Sequence, residues 1–431
     1  MKVLLISTYD IGGAGKACVR LHKGLIKKNV KSNILCKIKT GNVPFSINFH
    51  ADLKEKTFFE IKLNKLVSIL NKLVAKLFIF NFKKKSVYRS PNLELLSFPQ
   101  SKEDITESKL FQRADIINLH WVSNFLDYNS FFKKNTKPVV WTLHDMNPFS
   151  GGEHFTENYL GIDNNGYPVK RTVSREEKDL YLRVIEYKLE ALKNVLNLHI
   201  VVLCEWMYKE VKKSKVFKKY PVYLIPNGID KTIFKPRDVS FSRVFFDLPL
   251  DKKIVLFVAE NIKSYRKGFV YLQKAIEKLQ NKDFILCSVG YSDGTIKTSN
   301  SYFELGQIND ERLMSMIYSS ADVFVIPSLM DNLPNTAIES LVCGTPVIGF
   351  PVGGITDIIN HGENGLLAKE VSVDSLLEVL NVFIKSKNMF NRKEISEKSL
   401  KKYDHLLQAE SYYNLYEKVL KEFNMNQKKI G

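Results

Sequence analysis

Cysteine is scarce in this chain. Its 431 residues hold five, Cys18, Cys36, Cys204, Cys287 and Cys343, odd in number and scattered. No C-x-x-C pair occurs, so neither a zinc site nor a disulfide framework is indicated, and a reducing cytoplasm is the expected setting. Long apolar runs are also lacking: no stretch is long enough to span a bilayer. Asp10 and the glycines after it interrupt the first apolar run, so no signal-peptide pattern is expected. Low-complexity sequence is confined to the lysines at 83–85, and the only internal repeat is a general likeness of the two halves.

The familiar phosphate-loop fingerprints are missing as well. After the apolar run "KVLLIS" comes "YDIGGAGKACVRL", with Gly12, Gly13 and Gly15. Ala14, Cys18, Leu21 and Leu25 then recur at helical spacing. A strand, a glycine turn and a helix start gather backbone N–H groups at one point, which suits an anion. A Walker loop requires a glycine where Asp10 stands and a Ser or Thr where Ala17 stands. The dinucleotide pattern G-x-G-x-x-G fails at Cys18. Alone, the loop is as consistent with a tight turn as with a ligand site.

What is present in excess is positive charge. Lys and Arg number 64 against 46 Asp and Glu, a net charge of +18. Such a charge suits nucleic acid, an anionic membrane or anionic substrates. Residues 54–85, "KEKTFFEIKLNKLVSILNKLVAKLFIFNFKKK", interleave lysines with Phe, Leu and Ile. They read as a basic amphipathic helix, either lying on an anionic leaflet or packing its apolar face on a core. Nucleic acid as a partner has only the charge behind it, because the basic and aromatic residues share a leucine-rich helix rather than a sheet.

Strand-like runs alternate with helical patterns along the whole chain. The first half contains "KVLLIS", "SNILCKI", "DIINLHW", "PVVWTL", "HIVVLC" and "VYLIP". After a looser stretch near Pro236 and Pro249, the second half contains "KIVLFVA", "FILCSV", "YFELG", "DVFVIPS", "TPVIGF" and "NGLLA". Buried, non-alternating strands separated by helices predict parallel sheets covered on both faces. The fold class is therefore α/β, with two Rossmann-like domains facing across a cleft. The expected limits are 1–235 and 236–404, with 405–431 packing back on the first domain. Ligands of such sheets sit at the carboxyl ends of the strands.

The richest stretch is "VIPSLMDNLPNTAIESLVCGTPVIGFPVGGITDII" at 325–359. Pro334 reads as the first residue of a helix. Asp331 precedes that helix and Glu339 lies one turn inside it, so both carboxylates point toward one cleft. The N–H groups of Asn335, Thr336 and Ala337 at the helix start suit a diphosphate, and a nearby carboxylate suits sugar or ribose hydroxyls. Arg266 and Lys267, just before Gly268 and another helix, are placed to neutralise a leaving diphosphate.

These segments together resemble retaining glycosyltransferases of the GT-B fold, family 4, of the kind that builds bacterial surface polysaccharides. The motifs are Asp331-x7-Glu339 followed by "CGTPVIGFPVGG", with "PNGID" at 226–230, "RKG" at 266–268, "ENGLLA" at 363–368 and "WTLHDMNPFSGG" at 141–152. The resemblance covers nearly the whole chain, in order. It implies Glu339 on the ribose hydroxyls, Asp331 on the donor sugar and Lys267 on the diphosphate. It further implies His144 beside the reacting centre, and Gly12 and Gly13 near the diphosphate and acceptor. Two departures stand out: Asn261 occupies the place of a usual Arg, so either Arg266 substitutes or one positive charge is missing, and the first acid is Asp rather than Glu. Relatives of the "HDM-x-PF-x-GG" type carry cysteines where Glu153 and His154 follow here. No metal is therefore expected in that loop, and His154 is either an acceptor contact or a surface residue.

The resemblance implies a nucleotide-diphosphate-sugar donor, no metal or other cofactor, and a glycan or lipid-linked glycan acceptor. The expected place is the cytoplasmic face of the membrane, as a peripheral protein held through 54–85. A catalytically inactive scaffold of the same fold, or a nucleotide-sugar epimerase, remain as alternatives.

Overall fold

The buried runs Val3–Ile6 and Val323–Ile326 have no polar face, so each strand must be covered on both sides. The computed structural model describes residues 1–53, 89–279, 283–294, 302–386 and 388–430. The amphipathic segment 54–85 lies outside them.

In the first domain the strands are β1 (Lys2–Tyr9), β2 (Lys31–Ile38), β3 (Ser46–Asn48), β4 (Ile116–Leu119) and β5 (Val139–Leu143). A hairpin of β6 (Tyr159–Ile162) and β7 (Pro168–Lys170) follows, then β8 (Leu198–Val202) and β9 (Val222–Leu224). The second domain holds β10 (Lys253–Asn261), β11 (Phe284–Tyr291), β12 (Tyr302–Glu304), β13 (Val323–Ile326), β14 (Val347–Gly349) and β15 (Gly365–Leu367). The two main sheets run β3-β2-β1-β4-β5-β8-β9 and β12-β11-β10-β13-β14-β15. Every pairing in them is parallel. Strand order reverses beside β1 in the first sheet and beside β10 in the second, so a crevice opens at the carboxyl ends of β1 and β4, and of β10 and β13.

The helices that frame the cleft are α1 (Gly12–Lys27), α2 (Arg175–Ala191), α3 (Phe269–Lys278), α4 (Glu311–Ser320), α5 (Asn335–Val342) and α6 (His405–Ile430). Gly15 lets α1 lie close on β1, since a Cβ there would sit 2.8 Å from the Tyr9 carbonyl oxygen. The last helix, α6, crosses back to the first domain. Its Ala409, Tyr412, Leu415, Tyr416 and Val419 join Val3, Leu5, Cys18 and Leu21 in one core. Tyr412 shares a hydrogen bond with Thr142 (2.9 Å), and Tyr416 donates to Asn118 (2.5 Å).

The hairpin crosses the other way. Its Tyr159 and Ile162 pack against the core of the second domain. Val373 N donates to the Gly166 carbonyl at 3.0 Å. No helix among the described residues is long and apolar enough to cross a membrane.

Candidate active site

The glycine turn after β1 is shaped by Asp10, whose carboxylate accepts from Thr40 N, Thr40 Oγ1 and Gly41 N at 2.8–2.9 Å. Burial alone would raise the Asp10 pKa, but those hydrogen bonds hold it below the usual range. Gly12 then takes a left-handed conformation, φ 70°, and opens α1. The Gly13 carbonyl accepts from Asn335 Nδ2 at 2.9 Å, and Asn335 Oδ1 accepts from Asn227 Nδ2 at 2.9 Å. The glycine turn of one domain is thus tied directly to the start of α5 in the other by the Asn335 side chain, which the Asn of "PNGID" holds from its other end.

At α5, Pro334 is the N-cap and Asn335 the first helical residue, one position later than the sequence suggests. Asn335 and Thr336 stand half-buried at the helix mouth. Ala337 does not offer its N–H to a ligand, because it donates to the Pro334 carbonyl at 3.1 Å. The turn folds back one residue earlier than the expected anion cradle, leaving two first-turn N–H groups for it.

Asp331 lies in the loop after β13. Its Oδ2 accepts from Lys267 Nζ at 2.6 Å and Ser328 Oγ at 3.2 Å, and its Oδ1 lies 3.4 Å from Arg266 Nη1. Burial opposes ionisation there, but Lys267 first and Arg266 second outweigh it and keep the carboxyl below its ordinary pKa. Asp331 is therefore a carboxylate. Arg266 is mainly committed elsewhere: Nε to Glu94 and Nη1 to the Met330 carbonyl (2.8 Å), with the guanidinium 4.2 Å from the centre of the Phe155 ring. Lys267 is the more exposed of the two cations. The Gly353–Gly354 turn lies directly on this loop. A Cβ on Gly353 would sit 2.0 Å from the Asp331 carbonyl oxygen, and one on Gly354 would sit 1.7 Å from that of Asn332. Only glycines fit.

Asn332 joins the domains. Its Nδ2 donates to the carbonyls of Leu143 (3.0 Å) and His144 (3.1 Å), and its Oδ1 accepts from Cys204 Sγ at 3.1 Å. His144, at the end of β5, thus stands next in the cleft to the Asp331 loop. Its ring stacks on His120 at 5.2 Å, with Nε2 3.0 Å from His120 Nδ1. Burial pushes the His144 pKa down to about 4, with Asp145 opposing, and burial and His144 depress His120 further. Both imidazoles are neutral near pH 7. His144 offers a hydrogen bond to a ligand, not a positive charge.

His154 is neither on the surface nor open to an acceptor. It is 9% exposed, and both ring nitrogens are engaged, Nδ1 with Asp145 (2.6 Å) and Nε2 with Ser97 Oγ (2.8 Å). The reason lies with Asp145, a buried carboxylate that needs donors. It takes them from His154, Trp121 Nε1 (2.7 Å) and Asn147 N (2.9 Å). Lys188 of α2, fully buried, donates to the carbonyls of Asn147 and Ser150 and braces the same loop. Burial lowers its pKa to about 7.

Glu339 on α5 accepts from Tyr318 OH at 3.0 Å through Oε2. Its Oε1 is bonded by Arg20 Nη2 at 2.6 Å, from α1 across the cleft. The same nitrogen reaches Glu311 of α4 at 2.5 Å. Neither Arg20 nor Asn332 is evident from motif spacing. Arg20 falls at helical spacing with Lys16, Lys23 and Lys27, so in the sequence it reads as part of a solvated face of α1.

Residues 238–402 match the family model described as Glycosyl transferases group 1. Over 218 residues the chain is 26% identical to the putative teichuronic acid biosynthesis glycosyltransferase TuaC of Bacillus subtilis, covering 49% of this chain and 54% of TuaC. Over 165 residues it is 30% identical to the D-inositol 3-phosphate glycosyltransferase of Acidothermus cellulolyticus, covering 34% of this chain and 36% of that protein. The chain thus spans about half or less of these curated relatives. Among solved structures it superposes on Anabaena HepE in complex with UDP and glucose, with a TM-score of 0.65, 14% identity, and 97% and 99% of the two chains covered. Sucrose-phosphate synthase from Thermosynechococcus elongatus gives 0.64, 18% identity, and 98% and 100% coverage. The fold is GT-B, with the described site at the cleft between the two domains.

Proposed function

We propose that the protein is a retaining glycosyltransferase that moves a sugar from a nucleotide-diphosphate-sugar donor to a glycan or lipid-linked acceptor of a surface polysaccharide. One observation carries the reading. Asn332 bonds the His144 carbonyl, so the Lys267–Asp331 ion pair of the second domain and the His144 ring of the first border one cleft. In this reading Glu339 takes the ribose hydroxyls and Asp331 those of the donor sugar. Lys267, with the first-turn N–H groups of Asn335 and Thr336, offsets the charge of the departing diphosphate. The neutral His144 gives or takes a hydrogen bond beside the anomeric carbon. Closure of the domains aligns donor with acceptor and excludes water. The donor class has support from HepE, whose structures hold UDP and UDP-glucose. The polysaccharide role has support from the name of TuaC.

The reaction requires no metal in this proposal, because the lysine and the helix start take that part. Residues 54–85 would hold the protein to an anionic leaflet on the cytoplasmic face.

The test is a thermal-shift screen of nucleotide diphosphates and their sugars, followed by proton NMR of the product's anomeric configuration. Stabilisation that Glu339→Ala abolishes, and a product that keeps the donor's configuration, are the expected results. A melting temperature indifferent to every nucleotide would sink the donor-site assignment, and an inverted product would sink the mechanism.

A further inference from the structure

The donor half of a GT-B cleft is built on the second domain, yet Glu339 is held by a side chain of the first. Arg20 is only 4% exposed. Every side-chain hydrogen bond it makes among the described residues crosses the cleft, from Nη2 to Glu339 and to Glu311. Its guanidinium rests on the ring of Phe234, 5.0 Å from the centroid, in the segment that links the domains. Its Nε and Nη1 are buried without a partner, so nothing in its own helix fixes it. An arginine kept for the stability of α1 would spread its five donors over its own domain. Here the single engaged nitrogen bridges two acids of the other domain.

We propose that Arg20 is a positioning residue for nucleotide binding: on domain closure it grips Glu339 Oε1 and turns the carboxylate so that its remaining lone pairs meet the ribose. Tyr318 holds the other oxygen from within the second domain, so the carboxylate is aligned only when both are present. Donor affinity is thereby linked to closure, since only the closed form completes the grip. This inference rests on the reading of Glu339 as the ribose acid.

The experiment is a double-mutant cycle on the full chain. UDP, GDP and ADP are titrated calorimetrically into wild type, Arg20→Met, Glu339→Gln and the double variant, and the nucleotide that binds wild type is followed. Residues that act as one contact couple, so Arg20→Met is expected to weaken binding about tenfold in the wild type and hardly at all beside Glu339→Gln. Arg20→Lys should recover part of the loss, which separates alignment from misfolding. X-ray scattering should show the compaction on nucleotide binding reduced in Arg20→Met. If Arg20→Met binds as wild type while Glu339→Gln does not, the inference is overturned and the ribose reading stands. An equal loss in both backgrounds also overturns it, because the effect of Arg20 is then independent of Glu339. If neither single variant changes binding, or no nucleotide binds the wild type, the ribose reading itself fails and the inference falls with it.

Discussion

Replacing Asn332 by Ala should open the cleft while leaving both domains folded. Asn332 is 2% exposed, and its side chain supplies donors to two carbonyls of the first domain, the buried one of Leu143 and the partly buried one of His144. A buried acceptor left without a donor costs about 1–3 kcal/mol. The Leu143 carbonyl puts the cost of the closed form at roughly 1–3 kcal/mol, with the partly buried His144 carbonyl and the weak Cys204 thiol bond as smaller additions. On opening, water satisfies the same carbonyls, so the cost falls on closure and not on the folding of either domain. At about 1.4 kcal/mol per factor of ten, the middle of that range, about 2 kcal/mol, shifts the open-to-closed ratio about 30-fold. Hydrogen exchange reads this directly: amides in 143–149 and 331–337 should exchange about 30-fold faster, while those of β1 and β13 keep the wild-type rate. Exchange at 143–149 within a factor of about three of wild type would refute the reasoning, because the carbonyls would then have found other partners at little cost.

Three further outcomes follow. Asp145 lifts the His154 pKa against the burial that lowers it, so the stability His154 contributes is full below about pH 6.5 and lost as pH rises through its folded value. His120 and His144, both shifted down, act in the opposite sense, so the quantity to measure is the urea-midpoint difference between wild type and His154→Gln, which should shrink from pH 6 to pH 9; a constant difference would refute it. Gly24→Ala sets helix propensity against packing: propensity favours Ala by about 0.5–1 kcal/mol, but its Cβ would sit 2.8 Å from both Ala409 Cβ and the His405 carbonyl oxygen. Packing should win and α6 loosen, lowering the melting temperature, and a gain in stability would be the contrary result. Changing Lys83, Lys84 and Lys85 to Glu should abolish salt-sensitive flotation with anionic liposomes, and unchanged flotation would leave the segment without a membrane role.

Each of the twelve apolar runs picked out as strands forms one in the structure, most of them because a strand buried on both faces needs a continuous apolar run, although β9 and β12 are only partly buried. The strands that escaped notice, β3, β6 and β7, are short and only partly buried, and "SIN" or "PVK" carries no such pattern. The site divides along a similar line. Asp331, Asn335 and Glu339 are legible because one loop and one helix turn bring them together within nine residues of chain. Arg20 and Glu339 are 319 residues apart, and Asn332 and His144 are 188 apart. No local period records such pairs, which exist only once the two sheets face each other. His154 was misplaced for the same reason: its partners Asp145 and Ser97 come from two separate loops, and a histidine in a glycine-rich turn reads as exposed until they are seen.

The distribution of these long-range contacts has a mechanical consequence. On the side where the chain crosses between domains, Ile229, Phe234 and Tyr403 belong to one apolar core that runs through both domains. At the cleft the contacts are polar: Arg20 to Glu339, Asn332 to His144, Asn335 to Gly13 and Arg266 to Glu94. Separating apolar surfaces exposes them to water at a cost that grows with area, whereas separated polar groups find water as a substitute partner. The crossing side therefore resists parting and the cleft side opens at modest cost, which makes the first a hinge and the second a gate. Arg20 stays charged in the closed form, because Glu339 and Glu311 outweigh the burial that would otherwise lower its pKa. A gate whose closing bonds end on residues assigned to the donor is biased toward closure by the donor itself, since only a ligand that contacts both sides favours the closed state over the open one.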